Sequence, residues 1–201
     1  MNRFLFVIFL IKSFGLSIEK ISLPPNSFNN WNILQNDITW IGWTEFENYP
    51  ICKAERILNH NFNMVSNAIQ DKQNYPNIFE RITQLKLYEK DIIHIYLDMP
   101  FPISSRDYIV KYETSETNKS KEFYFYSVSH PNSVQFEDSI RLPNAGGKWI
   151  IEKLDNNKTK VTYLWNGQLL GDFPDWALTN AWTTQGEEVL DWLNSALNRS
   201  K

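Results

Sequence analysis

From Gln84 to Gly167 the chain is a succession of short segments in which apolar and polar residues alternate. QLKLYE, DIIHIYLD, RDYIVKYE, KEFYFYSVSH, SIRLP, KWIIEKL and TKVTYLWNG each read as a strand. The separators carry turn chemistry: Glu89-Lys90-Asp91, Glu116 to Ser120, Asn144-Ala145-Gly146-Gly147 and Asp155-Asn156-Asn157. Short links join antiparallel neighbours, because a parallel return needs a crossover of about a dozen residues or more. A sheet of this kind must cover one apolar face, and after the last strand the chain supplies one long amphipathic helix. Asp172 is expected to cap it and Pro174 to fall in its first turn, with Ala177, Ala181, Val189, Trp192, Leu193 and Ala196 as its apolar stripe. Gly186 is expected to loosen the middle of this helix, since glycine there costs about 1 kcal/mol against alanine. The pattern is α+β: a curved antiparallel β-sheet wrapped around a long C-terminal α-helix.

Ahead of this run, Trp31 and Leu34 are spaced to share one face of a short helix. Ile38 to Glu47 alternates as a strand, Asn48-Tyr49-Pro50 reads as a turn, and Ile51 to Leu58 as the hairpin partner. A helix comes next, capped by Asn61 or Asn63 and carrying Met64, Val65, Ala68 and Ile69 on one side. Asn74-Tyr75-Pro76-Asn77 breaks it, and Pro76 suits the first turn of a further short helix reaching Arg81. At the N-terminus, Asn2-Arg3, the apolar run Phe4 to Ile11, Lys12, and then Gly15 and Ser17 before Ile18 match a cleaved leader. Residues 1–17 are therefore expected to be a signal peptide, 18–29 a junction containing Pro24-Pro25, and 30–199 one domain. The expected location is exported, periplasmic or secreted, in a bacterium. The single cysteine, Cys52, rules out an intramolecular disulfide.

The sequence is short of local catalytic signatures. His60, His94 and His130 lie at no metal-ligand spacing from one another or from Cys52. Phosphate-binding loops, dinucleotide fingerprints and nucleophile elbows are missing. The net charge of −3 comes without a basic run, which argues against a nucleic-acid partner. No cofactor, metal or catalytic residue is assigned, and a monomer is expected. Aromatic residues make up 15% of the chain, enough to fill a large core or line a cavity.

One stretch, DMPFPISSRDYIVKY (residues 98–112), sets opposite charges side by side at the mouth of a strand. Pro100 and Pro102 end the strand before it, because proline cannot donate to a ladder. Consecutive strand residues face opposite ways, so Arg106 and Asp107 need not pair with each other. Each can tie a different part of the corner, and both are read as structural.

The same stretch carries a resemblance. Asp91 to Val110, with its apolar strand, Pro-Phe-Pro turn and Arg-Asp-aromatic restart, resembles the START family (StAR-related lipid transfer domains). Three further segments match in order: Lys53-Ala54-Glu55, Ser127-Val128-Ser129-His130-Pro131, and Gly171-Asp172-Phe173-Pro174-Asp175-Trp176 with Asn180. Together they span roughly Trp31 to Leu197. The resemblance implies a helix-grip fold, with a mostly apolar tunnel between sheet and helix that holds one lipid without chemistry. A transient contact with a membrane surface would accompany such binding.

Two departures bear on the ligand. Where sterol-binding members often place an arginine six residues beyond the Arg of the Arg-Asp pair, this chain has Tyr112, and the facing acidic position aligns near Tyr96. The arginine and tryptophan that the phosphatidylcholine carrier uses fall on a stretch reading Asn74-Tyr75-Pro76-Asn77-Ile78-Phe79. Strand parity counted from these positions gives a ligand-binding set: Ile92, His94, Tyr96, Tyr108, Val110, Tyr112, Trp149, Ile151, Val161, Tyr163 and Trp165 from the sheet. Ala177, Asn180 and Ala181 are added from the helix. Two other functions stay open. One is an enzyme of the wider superfamily, cyclase- or hydrolase-like, using His94 with Tyr96 or Tyr112 as acid and base on an aromatic or polyketide-like ligand. The other is a module whose groove holds a partner peptide.

Overall fold

The computed structural model describes residues 21–171 and 173–199. The leader expected at residues 1–17 and the expected helix cap Asp172 lie outside the described residues. Ten strands form one open, curved sheet. They are β1 (Asn32–Asn36), β2 (Trp40–Phe46), β3 (Tyr49–Leu58), β4 (Ile82–Glu89), β5 (Ile92–Leu97), β6 (Ser105–Glu116), β7 (Ser120–Ser127), β8 (Ser139–Arg141), β9 (Gly146–Lys153) and β10 (Thr159–Asn166). Between β3 and β4 lie helices α1 (Phe62–Gln70) and α2 (Tyr75–Ile78), and the chain ends in α3 (Leu178–Arg199). The strand order is β1-β2-β3-β10-β9-β7-β6-β5-β4, all antiparallel, and α3 lies in the hollow of the sheet. This is the α+β architecture that the alternation pattern predicts, and it matches the helix-grip fold that the resemblance implies.

Five local expectations need correction. The segment at Trp31–Leu34 is not helical. Its chain continues as β1, paired with β2, and three-residue spacing on a strand puts the two side chains on opposite faces. Leu34 accordingly packs on the main core while Trp31 packs with Ile51 and Leu164 on the outer side. The first hairpin turns one step earlier than expected, at Glu47 and Asn48 (φ 47° and 66°), which is the two-residue geometry that matches strand twist. Tyr49 and Pro50 already belong to β3. β8 runs parallel to β6, because β7 pairs only with residues from Val110 onward and leaves Ser105–Asp107 free for a second neighbour. A single 3-10 turn, Asp175–Ala177, precedes α3, so Pro174 is extended (ψ 134°) and outside the helix.

The fifth correction concerns Gly186. It is buried, and a Cβ built there would lie 3.0 Å from Ile41 Cδ1 and 3.2 Å from Ala54 Cβ. The missing side chain lets α3 press onto β2 and β3 at Ala54, itself wholly buried. Gly186 is a contact point rather than a soft spot. The buried stripe of α3 is Trp182, Gly186, Leu190, Leu193 and Leu197, one step round from the predicted stripe. Outside the sheet, the stretch from Ile21 packs against Ile51, Ile150 and Leu164, and Asn26 bonds Glu122 and Lys148.

Candidate functional site

The sheet is wider than one helix can cover. Beside the contact at Gly186, a cavity of about 330 Å³ lies between the sheet and the side of α3 that carries Asn180, Ala181, Thr184, Glu188 and Trp192. Its wall is built from strand parity. On β6 the inward residues are Arg106, Tyr108, Val110 and Tyr112; on β10 they are Val161, Tyr163 and Trp165; on β9, Trp149 and Ile151. Tyr108, Tyr112, Trp149, Tyr163 and Trp165 line the cavity, together with Ala177, Asn180 and Ala181 from the helix end. Val110, Ile151 and Val161 face the same way but are sealed in the core, away from the cavity wall.

Ile92, His94 and Tyr96 point the other way. Cross-strand partners share a face, and Tyr96 is paired with Asp107, not with an inward residue. The inward residues of β5 are Ile93, Ile95 and Leu97, opposite Val110, Tyr108 and Arg106. The parity count began from a tyrosine placed by analogy. The set that is aliphatic throughout, Ile93-Ile95-Leu97, was the better signal for the buried face. Reasoning from the sequence also missed Tyr75 and Phe79, delivered by α2, and Phe125 from β7.

The wall is aromatic and continuous. Phe79 stacks on Trp149 (5.9 Å between centroids), Trp149 on Tyr163 (4.3 Å), and Tyr163 on Trp165 (4.9 Å). Burial pushes the phenols of Tyr75, Tyr108, Tyr112 and Tyr163 upward, so all four are neutral hydroxyls near pH 7. The charged residues of the wall are engaged with protein groups. Arg81 holds both carboxylate oxygens of Glu188 on α3 at 2.7 Å. Arg106, fully buried, donates from Nε to the Leu169 carbonyl at 2.9 Å, from Nη2 to that of Leu170 at 2.8 Å, and from Nη1 to that of Ser104. It thus ties the β5–β6 corner to the connection between β10 and α3. That connection bends sharply at Leu170 and Gly171 (φ 53° and 65°), where a Cβ on Gly171 would strike Ile140 at 2.2 Å.

Asp107 faces outward, as strand alternation requires of Arg106's neighbour. It accepts from His94 Nε2 at 2.7 Å and from Arg141 Nε and Nη2 at 2.9 and 2.7 Å. Tyr88 reaches His94 Nδ1 at 3.0 Å and is itself stacked on His130 at 4.1 Å. The cluster clamps the 128–142 segment over β5 and β6. Burial alone would raise the Asp107 carboxyl, but the hydrogen bonds from His94 and Arg141 and the Arg141 charge prevail and hold it at about 2. A depressed carboxylate stabilises the fold above its unfolded value near 4, and this contribution is lost as pH falls from about 4 towards 2. Asp107→Asn is therefore expected to cost about 3 kcal/mol at neutral pH, leaving Arg141 without its buried partner. In acid titrations followed by circular dichroism, the gap between variant and parent should close below pH 4. A constant gap down to pH 2 would mean that Asp107 does not ionise in this way.

At the edge of the cavity, Met99, Pro100 and Ile103 of the β5–β6 corner and Leu169, Leu170 and Phe173 of the last connection form a rim. Beside it stand two aromatic side chains with almost no cover, Phe101 (97% exposed) and Trp176 (84%). Among the described residues no cluster of His, Cys, Asp and Glu is arranged to hold a metal, and no helix is long and apolar enough to cross a membrane.

Comparison with known proteins places this geometry. A family model described as START domain matches residues 19–199. The fold is similar to that of a STAR-related lipid transfer protein from Xanthomonas axonopodis, with a TM-score of 0.72 and 16% identity over 85% of this chain and 99% of that one. It is also similar to human STARD10, with a TM-score of 0.76 and 13% identity over 90% and 82% of the two chains. A Streptomyces aromatase/cyclase, ZhuI, has a TM-score of 0.51 and 13% identity over 75% and 95%. In sequence, an uncharacterised protein of Pseudomonas aeruginosa is 25% identical over 104 residues, and the match spans about half the length of each protein.

Proposed function

The chain belongs to the START domain family, and on that premise we propose that it binds one hydrophobic molecule in the cavity between sheet and helix and passes it on unchanged. The observation that carries this reading is the cavity itself: an aromatic and aliphatic wall, charged groups already engaged with protein partners, and an apolar rim at its edge. Its volume lies near the lower end of the roughly 300–1,000 Å³ typical of ligand pockets, which suits a single-chain or compact ligand. The enzyme reading, which pairs His94 with Tyr96 or Tyr112, loses His94 and Tyr96 to the far face of the sheet and keeps only Tyr112 in the cavity wall. The apolar run Phe4 to Ile11 supports an exported protein serving a bacterial envelope.

Entry needs an opening. The later turns of α3 are held by Arg56–Asp191, Arg81–Glu188 and the bond from Gln35 to Glu187. The first turns of α3 carry fewer such charged ties to the sheet, while Arg106 anchors the connection before them, so the first turns are the moving part of the lid. Phe101 and Trp176 flank it and would enter the acyl boundary of a membrane, as aromatic rings favour that depth. Each buried aromatic side chain is worth about 1.5–3 kcal/mol. Replacing both Phe101 and Trp176 by serine should slow transfer of a fluorescent single-chain lipid between vesicles by about tenfold or more, while binding of the same lipid in solution is retained. Transfer at the parent rate would remove the membrane contact. Absence of binding by the parent protein would remove the carrier reading.

A further inference from the structure

Among the apolar surroundings of the cavity, two hydroxyls lack partners. Tyr108 and Tyr163 lie deep in the fold yet keep accessible surface, and that surface is cavity wall. Neither hydroxyl has a hydrogen-bond partner among the described residues, whereas Tyr75 donates to the Ile69 carbonyl at 2.7 Å. Next to Tyr163 on the same strand face, the Trp165 indole N–H is buried and likewise lacks a partner among the described residues. Tyr108 on β6 and Tyr163 on β10 line the same cavity. A buried donor without an acceptor, as at Trp165, is uncommon in folded proteins and costly.

Resting on the carrier reading above, we propose that Tyr108, Tyr163 and the neighbouring Trp165 form a neutral hydrogen-bonding subsite that receives one uncharged oxygen, such as a ketone, ester or hydroxyl, on an otherwise apolar ligand. The chemistry of the donors sets the class. Trp165 can only donate, the phenols can donate or accept, and none carries charge. Arg81 is occupied by Glu188, and Arg106 by backbone carbonyls, so a carboxylate or phosphate entering the cavity would lose its hydration without meeting a free cation. An apolar ligand bearing one oxygen acceptor satisfies the wall, whereas a bare hydrocarbon leaves the donors unpaired.

A matched set of probes tests this: undecane, methyl nonyl ketone and undecanoate, which share chain length and differ at one end. The ketone should bind the full-length protein at least about tenfold more tightly than either of the others. Tyr108→Phe and Tyr163→Phe keep the rings and remove only the hydroxyls, so the variants should fold. Each should narrow the gap between ketone and alkane by weakening the ketone while leaving undecane unchanged. The infrared carbonyl stretch of the bound ketone should sit at the lower frequency of a hydrogen-bonded carbonyl and rise in the variant that removes its donor. Equal affinity for ketone and alkane, or tightest binding of undecanoate, would overturn the subsite while leaving the cavity a hydrophobic carrier. Failure of all three probes to bind would overturn the carrier reading and the subsite with it.

Discussion

Arg106→Ala is expected to lower the stability of the fold by about 3–5 kcal/mol, because three backbone carbonyls lose a charged donor and each buried acceptor left unsatisfied costs about 1–3 kcal/mol. Its guanidinium is wholly buried, and its donors are spread over the carbonyls of Ser104, Leu169 and Leu170. These belong to two loops that both border the cavity edge: the corner before β6 and the kinked connection before α3. With the guanidinium gone, those carbonyls lose their donors in a place water reaches poorly. Lysine should rescue little, because one ammonium cannot serve acceptors arranged around a planar fork. Urea denaturation should show a lower midpoint with an unchanged slope if the native state simply loses stability. Because the two loops border the lid, ligand exchange should also quicken under conditions where the variant remains folded. A variant with the parent's midpoint would mean that Arg106 is dispensable to the corner.

Filling the cavity is expected to have the largest functional effect. Ala181 lines it from the first turns of α3, with Ala177 and Asn180 beside it. Ala181→Trp would place an indole into a space of about 330 Å³ with little cost to the packed stripe, since the helix is seated by Trp182, Gly186 and Leu190 on a different face. Uptake of a hydrophobic probe should fall by about a hundredfold or more, as overpacking a closed site costs several kcal/mol when the ligand must share it. Circular dichroism and the unfolding midpoint should stay near those of the parent. Normal uptake by a correctly folded Ala181→Trp protein would place the ligand elsewhere.

Much of this arrangement is legible in the sequence, for a physical reason. Alternation over seven segments and short turns fix an antiparallel sheet, and one long amphipathic helix is the natural cover for it. On β9 and β10, Glu152 and Lys160 mark the solvent face, where they pair, and so identify Trp149, Tyr163 and Trp165 as inward. On β5 no charged residue marks a side. His94 looks as much like a cavity group as a surface one, and only the pairing of Tyr96 with Asp107 shows that it belongs to the outer clamp. Of the partners of that clamp, Tyr88 lies on the neighbouring strand β4, but Arg141 comes from β8, far along the chain, and leaves no local trace. Gly186 misleads for a similar reason: propensity reads glycine as a weak helix former, while its neighbours Ile41 and Ala54 come from another hairpin. The contributions of α2 escape notice because four residues are too few for a periodic pattern.

The central claim is that this chain carries a hydrophobic molecule without altering it. The most direct measurement is native mass spectrometry of the protein purified from its own host, with solvent extraction, identification of the bound molecule and its reincubation with fresh protein. One molecule per chain, apolar apart from an uncharged oxygen and recovered unchanged after repeated binding and release, is the predicted result. Conversion of the extracted molecule into a new compound by fresh protein would contradict it.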